Sequence, residues 1–166
     1  IYSPMKKKIV VLGFLGTNLD QGGKARWGRW RPTISLGQQD DLLVDRFELF
    51  YEKNFLDLAQ LVQKDFQQVS PETEFNLREV VLKDPWDFQT VYSGIFDNLK
   101  DYKFDTDNEE YLVHITTGTH VIQICLFLLT ESRHIPGKLL QTHMQKSRNP
   151  NGTYTIIDLD LSKCDK

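Results

Sequence analysis

Cysteine is scarce in this chain of 166 residues, which holds two, Cys125 and Cys164. Two cysteines make no disulfide framework, and Cys125, set inside an apolar run, reads as packing rather than chemistry. That scarcity, together with the lack of a signal sequence, points to a cytoplasmic protein. Long apolar runs are missing as well. The longest, "VIQICLFLL" from Val121 to Leu129, is too short to span a bilayer, so no membrane partner is expected. Nor is there a basic surplus. Lys and Arg number 20 against 23 Asp and Glu, the net charge is -3, and the pI is near 5.8. Without a global phosphate-neutralising face, direct DNA binding by this domain is not expected.

Several sharp motifs are also wanting. The histidines His114, His120, His134 and His143 lack the spacing of a metal site, and His114, between Val113 and Ile115, reads as a core histidine. "NLDQGGKA" is no phosphate loop, because no glycine stands five residues before Gly23 and Ala25 occupies the place of the magnesium-binding hydroxyl. "GFLGTN" is not GxGxxG, which speaks against a nicotinamide-binding fragment. No metal and no cofactor is expected in this domain.

What is present is ordinary globular composition, 40% apolar and 26% charged, at a length that suits one domain with a sizeable core. The four residues before Met5 are set aside as a candidate cloning remnant, which leaves 5–166 as the domain. "KKIVVLG" ends a short apolar run in glycine and reads as a buried first strand. "LLVDRFELFY" reads as a second strand and "EFNLREVVL" as a third. Between them, "FLDLAQLVQKDF" puts Phe55, Leu58, Ala59, Val62 and Phe66 on one helical face. In "DPWDFQTVYSGIFDNL", Asp84 suits the N-cap, Pro85 the first helical position and Asp87 the positive end of the dipole. "EYLVHIT", "KLLQTHM" and "TYTIIDLDL" supply three further strands, the last alternating at Thr155, Ile157, Leu159 and Leu161. "HVIQICLFLLTESR" is a helix.

Strands alternating with helices predict an α/β, Rossmann-like, doubly wound and mostly parallel six-stranded sheet. The connection "QKSRNPNG" is too short for a parallel crossover, so the sixth strand should run antiparallel. Between Val121 and Leu129 only Gln123 is polar, and a helix apolar all round needs cover on every side. In a domain this small, a second subunit is the expected cover, which makes a homodimer.

With strand order 3-2-1-4-5-6, ligands bind beyond the carboxyl ends of strands one and four, where the order reverses. Two glycine-and-threonine loops meet there. The first supplies Gly13, Phe14, Leu15, Gly16, Thr17 and Asn18. The second, Thr116, Thr117, Gly118, Thr119 and His120, opens a helix whose free amides favour phosphate. Each loop alone is also ordinary turn chemistry; their convergence is what points to a site. The segment "KARWGRWRP" carries Arg26, Trp27, Trp30 and Arg31. It is either a solvated loop pinned by its tryptophans or a lid that meets phosphates with guanidinium groups and bases with indole rings.

The stretches "KKIVVLGFLGTNLD", "RWGRWRPTISL", "DPWDFQTVY" and "EYLVHITTGTHVIQICLFLLTESRHIPGKLLQT" resemble the amino-terminal domain of the RtcR family, from about Met5 to the end of the chain. That family comprises sigma-54-dependent activators of an RNA-repair operon. "TTGTH" is similar to the Thr-Gly-Gly-Thr-Lys signature of CARF domains, the CRISPR-associated Rossmann folds that sense oligoadenylates. Thr117, Gly118 and Thr119 match parts of it, while His120 stands where many relatives carry lysine. The resemblance implies a dimeric sensor of RNA damage, binding RNA with a cleaved end or an oligonucleotide signal and controlling an AAA+ ATPase outside these residues. It implies a regulatory domain rather than an enzyme. The rival is a ring-nuclease-type phosphodiesterase that acts on oligoadenylates through Thr119 and His120, a chemistry against which the departure at His120 weighs.

Overall fold

The computed structural model describes residues 6–144 and 150–158. Six strands form one sheet: β1 (Lys8–Phe14), β2 (Arg46–Tyr51), β3 (Glu74–Glu79), β4 (Glu109–His114), β5 (Gly137–His143) and β6 (Thr153–Ile157), in spatial order β3-β2-β1-β4-β5-β6. All neighbours pair in parallel except β5 and β6, which are antiparallel, with Leu139 opposite Ile157. Sheet order, parallel core and reversed last strand are those expected from the pattern. Leu159, Leu161, Cys164, the residues 1–5 and most of the "QKSRNPNG" connection lie outside the described residues.

Four helices cover the sheet: α1 (Pro32–Gly37), α2 (Leu56–Val69), α3 (Phe88–Leu99) and α4 (His120–Glu131). Strand alternation divides the core in two. Val10, Leu12 and Phe14 face α3 and α4, with Val91, Ile95, Ile122, Cys125, Leu126 and Leu129 against them. Val11, Phe47, Leu49 and Leu112 face α1 and α2, where Ile34, Leu36, Ala59, Val62 and Phe66 pack.

Three local expectations are revised. Residues 32–37, to which the sequence pattern assigns no element, form α1: Pro32 enters at its first turn, and a helix of six residues is too short to show a period. The cap of α3 is Asp87, whose carboxylate accepts from the Thr90 amide at 2.9 Å and hydroxyl at 2.6 Å. Asp84 instead closes the turn before it, accepting from the Trp86 amide at 3.0 Å. Phe55 precedes α2 and is exposed, so the buried stripe of that helix is Ala59, Val62 and Phe66.

Along α4 the chain covers only one side. Ile122, Cys125, Leu126 and Leu129 are buried, while Ile124 and Leu128 stay 48% and 39% exposed. Cys125 is buried and its thiol is pushed up to about 11 by that burial, as suits packing. No helix among the described residues is long and apolar enough to cross a membrane.

Candidate functional site

β1 and β4 are hydrogen-bonded neighbours, so the loops that leave them begin side by side. The Thr117 hydroxyl donates to the Phe14 carbonyl at 2.5 Å and ties one loop directly to the other. A Cβ on Gly16 would stand 3.0 Å from Thr117 Cγ2 and 3.0 Å from an Asp20 carboxylate oxygen. A side chain at this position would push the Thr117 methyl or the Asp20 carboxylate aside by a few tenths of an ångström.

Each loop is held by its own polar bracket. Asp20, fully buried, accepts from the Gly16 amide at 2.7 Å, the Thr33 amide at 2.9 Å and the Thr33 hydroxyl at 2.6 Å. The first loop is thereby locked to the start of α1. Burial pushes the Asp20 carboxyl up against the opposing effect of those hydrogen bonds. In the second loop, Gly118 has φ of 89°, a left-handed conformation that disfavours any side chain. Gln123 donates to the Thr116 and Gly118 carbonyls at 3.2 and 3.1 Å. The Thr116 hydroxyl accepts from the Thr142 amide at 2.9 Å.

Thr119 caps α4: its hydroxyl accepts from the Ile122 amide at 3.2 Å and donates to the Pro85 carbonyl at 2.9 Å. The amides of His120 and Val121 have no partner within the helix, and the positive end of α4 opens there. The Pro85 contact also draws the turn before α3 onto α4, so that Trp86 packs edge-on against His120 at 5.4 Å between ring centres.

The result is a cleft with two chambers. One, about 300 Å³, lies between Gly16, Thr17, Asn18 and Leu19 on one side and Gly118, Thr119 and His120 on the other. It is made of amides, small hydroxyls and a helix start, the chemistry of an anion site. The second, about 180 Å³, is walled by Phe14, Leu15, Tyr51, Phe55, Pro85 and Trp86, with Glu52 as its one ionisable group besides Tyr51. Trp86, Thr17, Gly118 and Thr119 line both. Glu52 is half-buried, its carboxylate has no hydrogen bond or ion pair among the described residues, and burial pushes its pKa up.

The structure thus brings Phe14, Leu15, Gly16, Thr17, Asn18, Gly118, Thr119 and His120 to one cleft. Gly13 lies within β1, where a Cβ would meet His114 and Phe47, and Thr116 and Thr117 brace the loop from behind. Arg26, Trp27, Trp30 and Arg31 are not among the residues that line it. Arg26 and Arg31 bind Asp65 of α2 at 2.7 and 2.8 Å. Burial alone would raise the Asp65 pKa; these two guanidinium groups hold it below the usual carboxylate range. Trp27 lies under Arg31 at 4.9 Å, and Trp30 lies against the Gly152 backbone. Residues 23–28 form a 3₁₀ turn.

Glu52, Phe55 and Trp86 were not anticipated at the site. For Trp86 a signal existed, since a tryptophan beside proline ahead of a helix is ill placed for burial. Glu52, one residue beyond β2, carried none beyond its position at a carboxyl end. Among the described residues no group of three or more His, Cys, Asp or Glu is placed to hold a metal ion.

The sheet order and the cleft at its switch point define a Rossmann-like, doubly wound α/β domain. Among solved structures, Enterococcus italicus Csm6 bound to cyclic hexa-2'-fluoro-hexa-dAMP shares the fold at a TM-score of 0.67 and 14% identity, over 90% of this chain and 36% of that one. Can2 from Sulfobacillus thermosulfidooxidans, in complex with cyclic tetra-adenylate, matches at 0.56 and 17%, over 90% and 37%. The chain belongs to the RtcR family, described as regulator of RNA terminal phosphate cyclase, whose profile matches residues 7–166. It is 46% identical over 162 residues to the transcriptional regulatory protein RtcR of Escherichia coli (strain K12), across 95% of this chain and 30% of that relative. The chain therefore spans about a third of that relative's length.

Proposed function

We propose that this chain is the ligand-sensing domain of a cytoplasmic, sigma-54-dependent transcription activator that controls RNA repair. It binds a cleaved RNA end, a 2',3'-cyclic phosphate, and occupancy relieves a restraint on the AAA+ ATPase of the longer protein. The observation that carries this reading is the hydrogen-bonded meeting of the two glycine loops at the start of α4. Unpaired amides there suit one compact anion better than a long polyanion. The aromatic chamber beside it suits an unstacked base. Membership of a family of RNA terminal phosphate cyclase regulators supports RNA ends as the signal. A second copy of the chain covers the exposed side of α4 at Ile124 and Leu128.

Isothermal titration with matched oligonucleotides tests it. RNA with the cyclic phosphate should bind more tightly than the same RNA with a 3'-hydroxyl, by about tenfold to a hundredfold for one charge-assisted contact. The DNA version should be weaker again. Equal affinity for DNA defeats the RNA claim, and indifference to the end defeats end recognition.

The phosphodiesterase alternative draws on the structural likeness to Csm6 and Can2. It relies on Thr119 and His120, and the Thr119 hydroxyl is already engaged with the Pro85 carbonyl and the Ile122 amide. Incubation with cyclic tetra-adenylate should return it intact; linear product would favour the alternative.

A further inference from the structure

The aromatic chamber has a feature that an anion site would not carry. Its walls are Phe14, Tyr51, Phe55, Pro85 and Trp86, and among them stands the Glu52 carboxylate, half-buried and without a partner among the described residues. A carboxylate there repels phosphate, so the two chambers cannot exchange roles. Phosphate belongs at the α4 amides and an uncharged flat group belongs between the rings. A volume of about 180 Å³ is on the scale of one nucleobase. Both chambers share Trp86, Thr17, Gly118 and Thr119, so the place for a base adjoins the place for a phosphate.

An ionised carboxylate only accepts hydrogen bonds, through two oxygens side by side. Among the Watson–Crick edges of the four bases, only guanine offers two adjacent donors, N1–H and the N2 amino group. Adenine and cytosine set an acceptor nitrogen next to their amino group. Uracil flanks its one N–H with carbonyl oxygens. Each of these turns a lone pair toward the carboxylate, and unpaired acceptors in a partly closed site cost affinity.

We propose that Glu52 selects the base of the RNA's last nucleotide and that this base is guanine, stacked on Trp86 with its Watson–Crick edge on the carboxylate. The proposal rests on the RNA-end reading above and adds a sequence preference to it.

Four synthetic trinucleotides test it: uridine-uridine-N with a terminal 2',3'-cyclic phosphate, N being G, A, C or U, and a fifth ending in inosine. Each is titrated calorimetrically against this chain and against E52Q. The guanosine-ended RNA should bind about ten- to hundredfold more tightly than the adenosine-ended one. Inosine, which keeps N1–H and lacks the amino group, should fall between. E52Q should level guanosine with adenosine, chiefly by weakening the guanosine-ended RNA, and a circular dichroism spectrum and urea midpoint equal to the parent's show that the variant is folded. Equal affinity across the bases, or a guanosine preference that survives E52Q, overturns the Glu52 assignment and leaves the phosphate site standing. Failure to bind any of the five overturns the RNA-end reading and the assignment with it.

Discussion

The two faces of the sheet solve the problem of burial differently. On the α1 and α2 side, polar groups are sealed inside: Arg31, Thr33, Ser35, Asp65, Ser70, Thr73, His114 and Thr142 are all buried. Nearly all are bracketed, as in Asp65 between two arginines and Ser70 beside Thr73, which donates to the Val44 carbonyl at 2.6 Å. On the α3 and α4 side the interior is apolar but for Thr130, spent on the Leu126 carbonyl, and Glu48, which accepts from Asn76 and Arg78 at 2.7 and 3.0 Å, and its outer surface stays greasy at Phe88, Ile124 and Leu128. Directional bonds fix one arrangement, whereas apolar contact tolerates several. The first face is built to hold the Asp20 loop in a single shape. The second is built to be finished by something else.

That contrast is sharpest within α4. Leu126→Asp places a charge in a fully packed site and should unfold the chain, a loss of more than about 4 kcal/mol in urea titration. On the other face, Asp65→Asn leaves the buried Arg31 guanidinium without its counter-charge and should cost about 3 to 5 kcal/mol. A loss below about 1 kcal/mol would mean that this face is held by packing like its opposite.

A smaller effect comes from pH. His114 is fully buried, with Nε2 on the Thr142 hydroxyl at 2.9 Å and no partner for Nδ1. Burial lowers its pKa from 6.5 to about 3. The unfolded chain therefore takes up a proton that the folded chain refuses, and stability falls as pH drops from about 6.5 toward 3. Between pH 6.5 and 4.5 the loss should be about 2 to 3 kcal/mol. His114→Gln should flatten that slope relative to the parent, and an unchanged slope assigns it to other groups. The smallest effect on the monomer belongs to Leu128→Asp, within about 0.5 kcal/mol. Its readout is association: sedimentation should show a dimer for the parent and a monomer for the variant, and a monomeric parent at high concentration would remove the α4 interface.

How far these features were legible in the sequence depended on their range. The strands, α4 and the reversed β6 follow from period and connection length, which local sequence carries. The meeting of Gly16 with Gly118 was legible because the switch-point rule converts sheet order into proximity. The partner of Arg26 and Arg31 was not: Asp65 sits 39 and 34 residues away, on a helix whose polar positions look like any solvated face. The same arginines beside tryptophans read equally as a lid, and only the packed chain shows where they go. Asp84 reads as the cap and Asp87 as a first-turn charge, and the helix starts one turn later because the amide and hydroxyl of Thr90 both reach Asp87.

The antiparallel β6 decides how the domain can be handled. Lys8 opens β1 at the amino-terminal edge of the parallel strands, and Ile157, beside Leu139, brings the described chain back toward that same edge. The cleft faces away, at the other edge. A tag or surface linker attached beyond Lys8 or beyond Ile157 therefore holds the domain by its back, and an immobilised sensor chip made this way presents the cleft to solution.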